Sequence, residues 1–138
     1  MRKLLYDTLI TALASTAVGN RVYLMSSLGV VEGTDSRPPW PYVCYREFPE
    51  RVHNEVFETS DASTKTFQIY VYDDRGSYSN IDAALRAVRD AVKALEGTRS
   101  ADGAFCMRSR WTGMSQDFFD QQYQSNVRFG TVQLTSSE

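Results

Sequence analysis

Histidine is almost missing from this chain: His53 is the single one in 138 residues. A nucleophile-and-base apparatus needs that base beside a serine or cysteine. His53 stands instead in a polar stretch, residues 47–63, where a solvated surface position accounts for it. Cysteine is nearly as scarce. Cys44 and Cys106 together with His53 fall short of a four-ligand zinc set. Both cysteines lie in strand-like segments, where burial as small, unpaired hydrophobes explains them, and so few thiols point to a reducing compartment. A glycine-rich phosphate loop is lacking, because Gly29, Gly33 and Gly113 are isolated and none opens a helix after a strand. No apolar run approaches the ~20 residues of a membrane span. Charge of either sign is not in excess: 15 basic against 17 acidic side chains leave −2, so nothing global draws the chain to nucleic acid or an anionic membrane. These absences leave no cofactor and no metal to assign.

What is present is organised around residues 64–97. Phe67, Ile69 and Val71 alternate with Thr66, Gln68, Tyr70 and Tyr72, the period of a half-buried strand. Asp73-Asp74-Arg75-Gly76 breaks that pattern with turn chemistry. Ser79 then precedes Asp82 by three residues, the spacing of a capping box. Ile81, Ala84, Leu85, Val88, Ala91, Val92 and Leu95 follow at helical spacing, and Gly97 ends the helix. The apolar stripe of this helix needs a sheet to cover, and the preceding strand offers one.

The start of the chain imitates a secretion signal, with basic residues, an apolar stretch and small residues after it. Asp7 interrupts the apolar run, so an amphipathic helix over residues 3–18 is the better reading. Its face holds Leu5, Leu9, Ala12, Leu13 and Thr16, and Gly19-Asn20 closes it. Residues 21–25 form a short strand or an extended lead-in. Residues 26–41 are a long Gly/Ser/Pro connection in which Pro38, Pro39 and Pro41 forbid a helix. Residues 42–46 read as a central strand with bulk on both faces. Residues 47–63 read as a long projecting hairpin, with a short helix at 49–56 as the competing reading. Residues 104–111 form another strand, with Phe105 and Met107 on one side and Cys106 and Arg108 on the other. Residues 112–122 are a loop or a helical turn. Residues 123–134 close the chain as a strand whose apolar phase shifts at Gly130, which suggests a β-bulge or a bend.

The order predicts one α+β domain over residues 1–138: a four-stranded, largely antiparallel sheet with two helices packed on one face, plus an extended hairpin and loop region. The residues suited to chemistry are few. Asp73-Asp74 could hold a metal or act as acid and base, but a strand-to-helix turn uses aspartates routinely. Arg108 and Arg110 with Trp111 have the chemistry to stack on nucleic acid, yet an exposed sheet face or a subunit contact explains them as well. More telling are Tyr23, Trp40, Val56, Phe57, Phe118 and Phe119, which exceed what such a core needs. Aromatic anchors on loops commonly meet a partner, or fold back on their own domain.

Taken in order, the elements resemble the tail-terminator (tail-completion) proteins of long-tailed bacteriophages. The likeness rests on an N-terminal helix leading to Gly19-Asn20-Arg21-Val22-Tyr23, then the proline-led strand Pro41-Tyr42-Val43-Cys44-Tyr45. Phe67-Gln68-Ile69-Tyr70-Val71-Tyr72 follows, then the helix over 81–95 with Val88-Arg89 at its middle. Tyr123-Gln124 and the strand over 126–132 close it. The resemblance implies a structural virion protein without catalysis. Its subunits form a ring of six that caps the head-proximal end of the tail tube, stops its growth and joins the tail to the neck. The implied partners are further copies of the chain, the tail tube protein and a neck or head-completion protein, with DNA only in passage and no membrane. On that reading Trp40, Phe57, Phe118 and Phe119 are candidate contacts. Glu47, Glu55 and Glu58 are candidates for a lumen wall or for a charged seam with Arg86, Arg89 or Arg108 of the next subunit. A neck protein of the same virion, and a small cytosolic enzyme or ligand-binding domain, are the alternatives.

Overall fold

Two apolar faces on the strands, rather than one, decide the architecture. The computed structural model describes residues 2–24, 40–48, 62–74, 78–101, 103–120 and 125–137. Helix α1 (Arg2–Leu13) leads to β1 (Val22–Leu24), β2 (Tyr42–Glu47) and β3 (Ala62–Asp73). Helix α2 (Ser79–Lys93), β4 (Phe105–Met114), β5 (Phe118–Asp120) and β6 (Ser125–Ser137) complete the order. The strands form one sheet in the order β1-β2-β3-β6-β4, with β5 also paired to β6. β1 runs parallel to β2 and every other pairing is antiparallel.

The α+β class is as expected, and the strand number is not: the sheet is six-stranded and mixed where four strands were expected. The two additions are β1, within residues 21–25 that read as a short strand or a lead-in, and β5, each three residues long. A strand that short has too few alternations to show a period.

Both helices cover the same face. Leu5, Leu9 and Leu13 of α1, with Ile81, Leu85, Val88 and Val92 of α2, pack on Val43, Phe67, Ile69, Val71, Val132 and Leu134 of the sheet. Full burial of side chains this size stabilises the fold by roughly 1.5–3 kcal/mol each before entropy is counted. The expected facing of Phe67, Ile69 and Val71 onto the helix stripe is therefore observed. α1 is shorter than the expected 3–18: it stops at Leu13, and Thr16 caps the end by donating from Oγ1 to the Leu13 carbonyl at 2.8 Å. Gly19 then takes the left-handed turn at φ 60° that only glycine adopts at little cost.

The capping box at Ser79 does not form. Tyr78 holds the N-cap position of α2 without a side-chain cap bond, and Asp82 serves another partner. Nor is there a bulge at Gly130. β6 pairs with β3 without a break, from Ser125's neighbour Asn126 to Ser137, and Gly130 sits in register with Ile69. The apparent phase change has a different cause. Val132 and Leu134 point to the helices, while Val127 joins a second buried cluster on the opposite face with Tyr42, Cys44 and Tyr72. One strand thus lends apolar side chains to one face at its start and to the other face at its end. The bulges lie instead on β4, where register shifts set off Met107 and Thr112. Cys106 faces the helix core beside the buried-cluster residues, whereas Met107 is exposed and Phe105 only half-buried.

Candidate functional site

The face of the sheet opposite the helices carries a strip of aromatic rings that crosses the strands. Tyr42 stacks on Tyr72 with ring centroids 4.8 Å apart, and Tyr23 meets Tyr42 edge-on at 6.3 Å. Tyr70 continues the strip from Tyr72 to Phe129, 4.9 Å away, and Phe118 closes it against Phe129 at 6.2 Å. Antiparallel register dictates the arrangement, because residues facing each other across paired strands share a face. Gln68 fixes the middle of the strip. Its Oε1 accepts from Arg46 Nε at 3.0 Å, Arg46 Nη2 at 2.7 Å and the Tyr70 hydroxyl at 2.7 Å. Burial pushes the Tyr70 phenol up, and the Arg46 guanidinium only partly offsets it. Tyr42 and Tyr72 are buried, so the strip is packed for most of its length and reaches solvent at Phe118.

Exposure is concentrated elsewhere, on the free edge of the sheet. β4 and β5 both pair with β6 on the same side, β4 along residues 130–137 and β5 along 125–127, and together they make one broken edge ribbon. Four large apolar side chains stand out from it: Met107 at 49% exposure, Met114 at 43%, and Phe118 and Phe119 at 39% each. Arg108 and Arg110 are exposed beside them. Arg108 pairs with Thr135 and Arg110 with Gln133, which puts both arginines on the outer face with Phe118, opposite Val127. Met114, opposite Gly130, and Phe119, opposite Asn126, belong to the other face. The ribbon is held in place from within. Arg128 donates from Nη1 to Asp82 Oδ1 at 2.9 Å and from Nε to the Ser115 carbonyl at 2.9 Å, with Asp117 at 3.6 Å. The first turn of α2 is thereby tied to the β4–β5 link.

The structure distributes the expected contact residues unevenly. Phe118, Phe119 and Arg108 come together on the ribbon. Trp40 is half-buried and donates its indole N–H to Ser125 Oγ at 2.7 Å, packing against the Tyr42 cluster. Glu47 lies between Arg2, at 2.9 Å, and Lys65, at 3.5 Å, of its own chain. Arg86 and Arg89 stand on α2, and Arg89 reaches its neighbour Asp90. Glu55, Phe57 and Glu58 lie outside the described residues. Asp73 accepts from the Asp74 amide and from Asn80 Nδ2, the work of a turn. Among the described residues no group of three or more metal-ligating side chains occurs. Alternation sets Met107 with Phe105 on one side of the strand, but the register shift between Cys106 and Arg108 takes it out of that alternation and leaves it exposed, and nothing in the sequence singles out Met114.

No curated protein matches the chain. Among solved structures, one chain without a functional description superposes with a TM-score of 0.61 at 12% identity, covering 99% of this chain and 92% of its own length. A chain from the virion of a native gene transfer agent particle superposes with a TM-score of 0.54 at 20% identity, covering 97% of this chain and 95% of its own. At such identities the likeness is one of fold. The family model of tail completion protein gp17 matches residues 7–133, nearly the whole of the two-helix, six-strand arrangement described above. The chain belongs to that family, and is a structural component of phage tails.

Proposed function

We propose that the chain is the subunit of a ring of six copies that caps the head-proximal end of the tail tube. The ring ends tube polymerisation and presents the surface that joins the tail to the neck. Family membership and the virion origin of one structural neighbour support the setting. The observation that carries the reading is the β4–β5 ribbon, where four of the exposed large apolar side chains share one edge with two arginines. Methionine, phenylalanine and arginine are residues that protein interfaces favour. A ribbon on one edge can meet a different surface on the next copy, as a ring requires. Such heterologous contacts close into a ring when the rotation per subunit divides a full turn. The near-neutral, slightly acidic composition suits passage of DNA, since each phosphate neutralised adds salt-dependent retention.

Light scattering on the purified chain, paired with addition of the chain to extracts holding headless tails, tests this reading. A mass several-fold above that of one 15.6 kDa chain, or tails of uniform length able to accept heads, is the expected result. A monomer that leaves tail length and head joining unchanged overturns it. Co-purification with filled heads and never with headless tails assigns the chain to the neck instead.

A further inference from the structure

We infer that the outer sheet face, in its half beyond Tyr70 and Phe129, is a seat for the phosphate backbone of duplex DNA. Arg99, Arg108 and Arg110 line it along β4, and Arg46 faces them from across the sheet. The site lies within one subunit and stands whether or not the ring closes. Strand register builds it. Arg46 on β2 pairs with Gln68 on β3, and Gln68 with Thr131 on β6. One row on, Arg110 pairs with Gln133, and in the next row Arg108 pairs with Thr135. Phe105 pairs with Ser137 in the row after that, and Arg99 bridges to Phe105 with its guanidinium 5.4 Å from the ring centre. Residues paired across strands share a face. Three arginines therefore descend one side of the sheet at steps of about 7 Å, twice the rise of a strand residue.

This half of the face offers donors and no acid. Glu47 and Asp73 sit one residue out of phase, with Phe67 and Val71 on the helix side, so no carboxylate of β2, β3, β6 or β4 shares it. Among the described residues none of the four arginines enters a salt bridge. Glu96 stands at the rim, where its Oε1 accepts from the Ser109 amide at 3.3 Å and from neither arginine beside it. Gln68, only 9% exposed, shows why the surface donates. Its Oε1 is spent on two bonds from Arg46 and one from the Tyr70 hydroxyl. The amide nitrogen makes no bond among the described residues and is the group left to offer. The same bonds lay the Arg46 guanidinium over Phe48 and Tyr70, 5.6 and 5.4 Å from the ring centres, with Nη1 unused.

Phosphate suits this surface better than a protein does. A protein contact centres on apolar anchors. Apart from Met107, the exposed ones on the sheet are Met114, Phe118 and Phe119, which belong to the β4–β5 link and the far end. A phosphate backbone asks only for positive charge and for arginine, threonine and glutamine donors. A single strand would need open rings on which to stack its bases. Here guanidiniums cap Phe48, Tyr70 and Phe105, and Trp111 packs on the helix-side core. The contact is thus with the backbone of a duplex and reads no bases. Outside the four arginines the chain carries −2 − 4 = −6, so the rest of the molecule repels DNA. A few phosphate contacts against that background let a duplex slide.

Fluorescence anisotropy of a short labelled duplex of arbitrary sequence, titrated with the full chain across salt concentrations, tests the site. R108Q/R110Q is expected to weaken binding at least about tenfold at low salt. It should also flatten the slope of log K against log salt by about 2, since each phosphate contact contributes about 0.9. R99Q, on a separate segment, should flatten it by about 1. R86Q/K93Q removes the same charge from α2 and is expected to bind as the wild type does. Circular dichroism and melting check that each variant is folded, and sedimentation without DNA reads ring formation separately. A wild type that leaves the duplex free at low salt overturns the site, as does equal weakening by R86Q/K93Q and R108Q/R110Q. Polyglutamate that displaces the duplex at equal charge overturns DNA as the occupant and points to an acidic protein. Tighter binding of a single-stranded oligonucleotide overturns the backbone-only contact.

Discussion

The indole of Trp111 on β4 lies against the backbone of Gly130 on β6, so closely that a Cβ at position 130 would overlap ring carbons. Trp111 is half-buried there and packs on the helix-side core. Gly130→Ala is therefore expected to cost about 1–3 kcal/mol, the usual penalty of forcing volume into a packed site. In a Trp111→Leu background the same change should cost much less, because the obstacle is gone. Urea unfolding of the four proteins measures the coupling, and equal costs in both backgrounds would show that the ring does not impose the glycine.

That pair also shows what a sequence hides. Gly130 stood out as a break in alternation, and a bulge is the local explanation of such a break. The actual cause is a ring from a neighbouring strand, together with a sheet buried on both faces, and neither is local. Where alternation serves one core only, as at Phe67, Ile69 and Val71 against Leu85 and Val88, strand and helix were legible residue by residue. The capping box at Ser79 failed because the N-cap falls one residue earlier, at Tyr78, and Asp82 serves Arg128, 46 residues away. The ribbon was half legible: Arg108, Phe118 and Phe119 were visible as unspent charge and bulk. Trp40 carried the same signal and proved to be spent on Ser125 and the tyrosine cluster.

The helix-side core should be intolerant of truncation. Ile69 and Leu85 are both fully buried in it. Ile69→Ala and Leu85→Ala are each expected to cost about 2–5 kcal/mol, read as a lowered urea midpoint at unchanged slope. A wild-type midpoint for either would mean that α2 does not lie on β3.

The cysteines should be silent in the native state. Burial pushes the Cys44 thiol from its ordinary value near 9 up to about 12, and raises that of Cys106 as well. The thiolate is the reactive form, so alkylation at pH 8 is expected to wait for unfolding. Three strand spacings, about 14 Å, separate β2 from β4, too far for a disulfide. The unfolded chain loses these protons first as pH rises, so the stability they contribute is complete below about pH 9 and falls toward pH 12. Mass spectrometry after brief alkylation, with and without denaturant, checks the first point; unfolding curves across that pH window check the second.

Arg128 should govern how firmly the ribbon is held. Its bonds to Asp82 and the Ser115 carbonyl are partly exposed, so Arg128→Met is expected to cost about 1 kcal/mol or less globally. Locally the effect should be larger. Faster amide exchange over residues 115–120, with β3 unchanged, is the expected pattern. Uniform acceleration throughout the sheet would assign Arg128 to the core instead.

The long pairing of β3 with β6 also decides how the subunit answers to force. All twelve residues of β3 are paired, without a slip, to one partner strand. A pull along these two strands in opposite directions loads the whole ladder at once, and none of its bonds can yield before the others. A pull on β1, three residues joined in parallel to β2, meets its bonds in turn and peels them. Load entering through the β4–β5 ribbon passes directly to β6 and so into the shear-resistant pair. The strongest ladder of the chain therefore lies one strand in from the edge where its apolar side chains are offered.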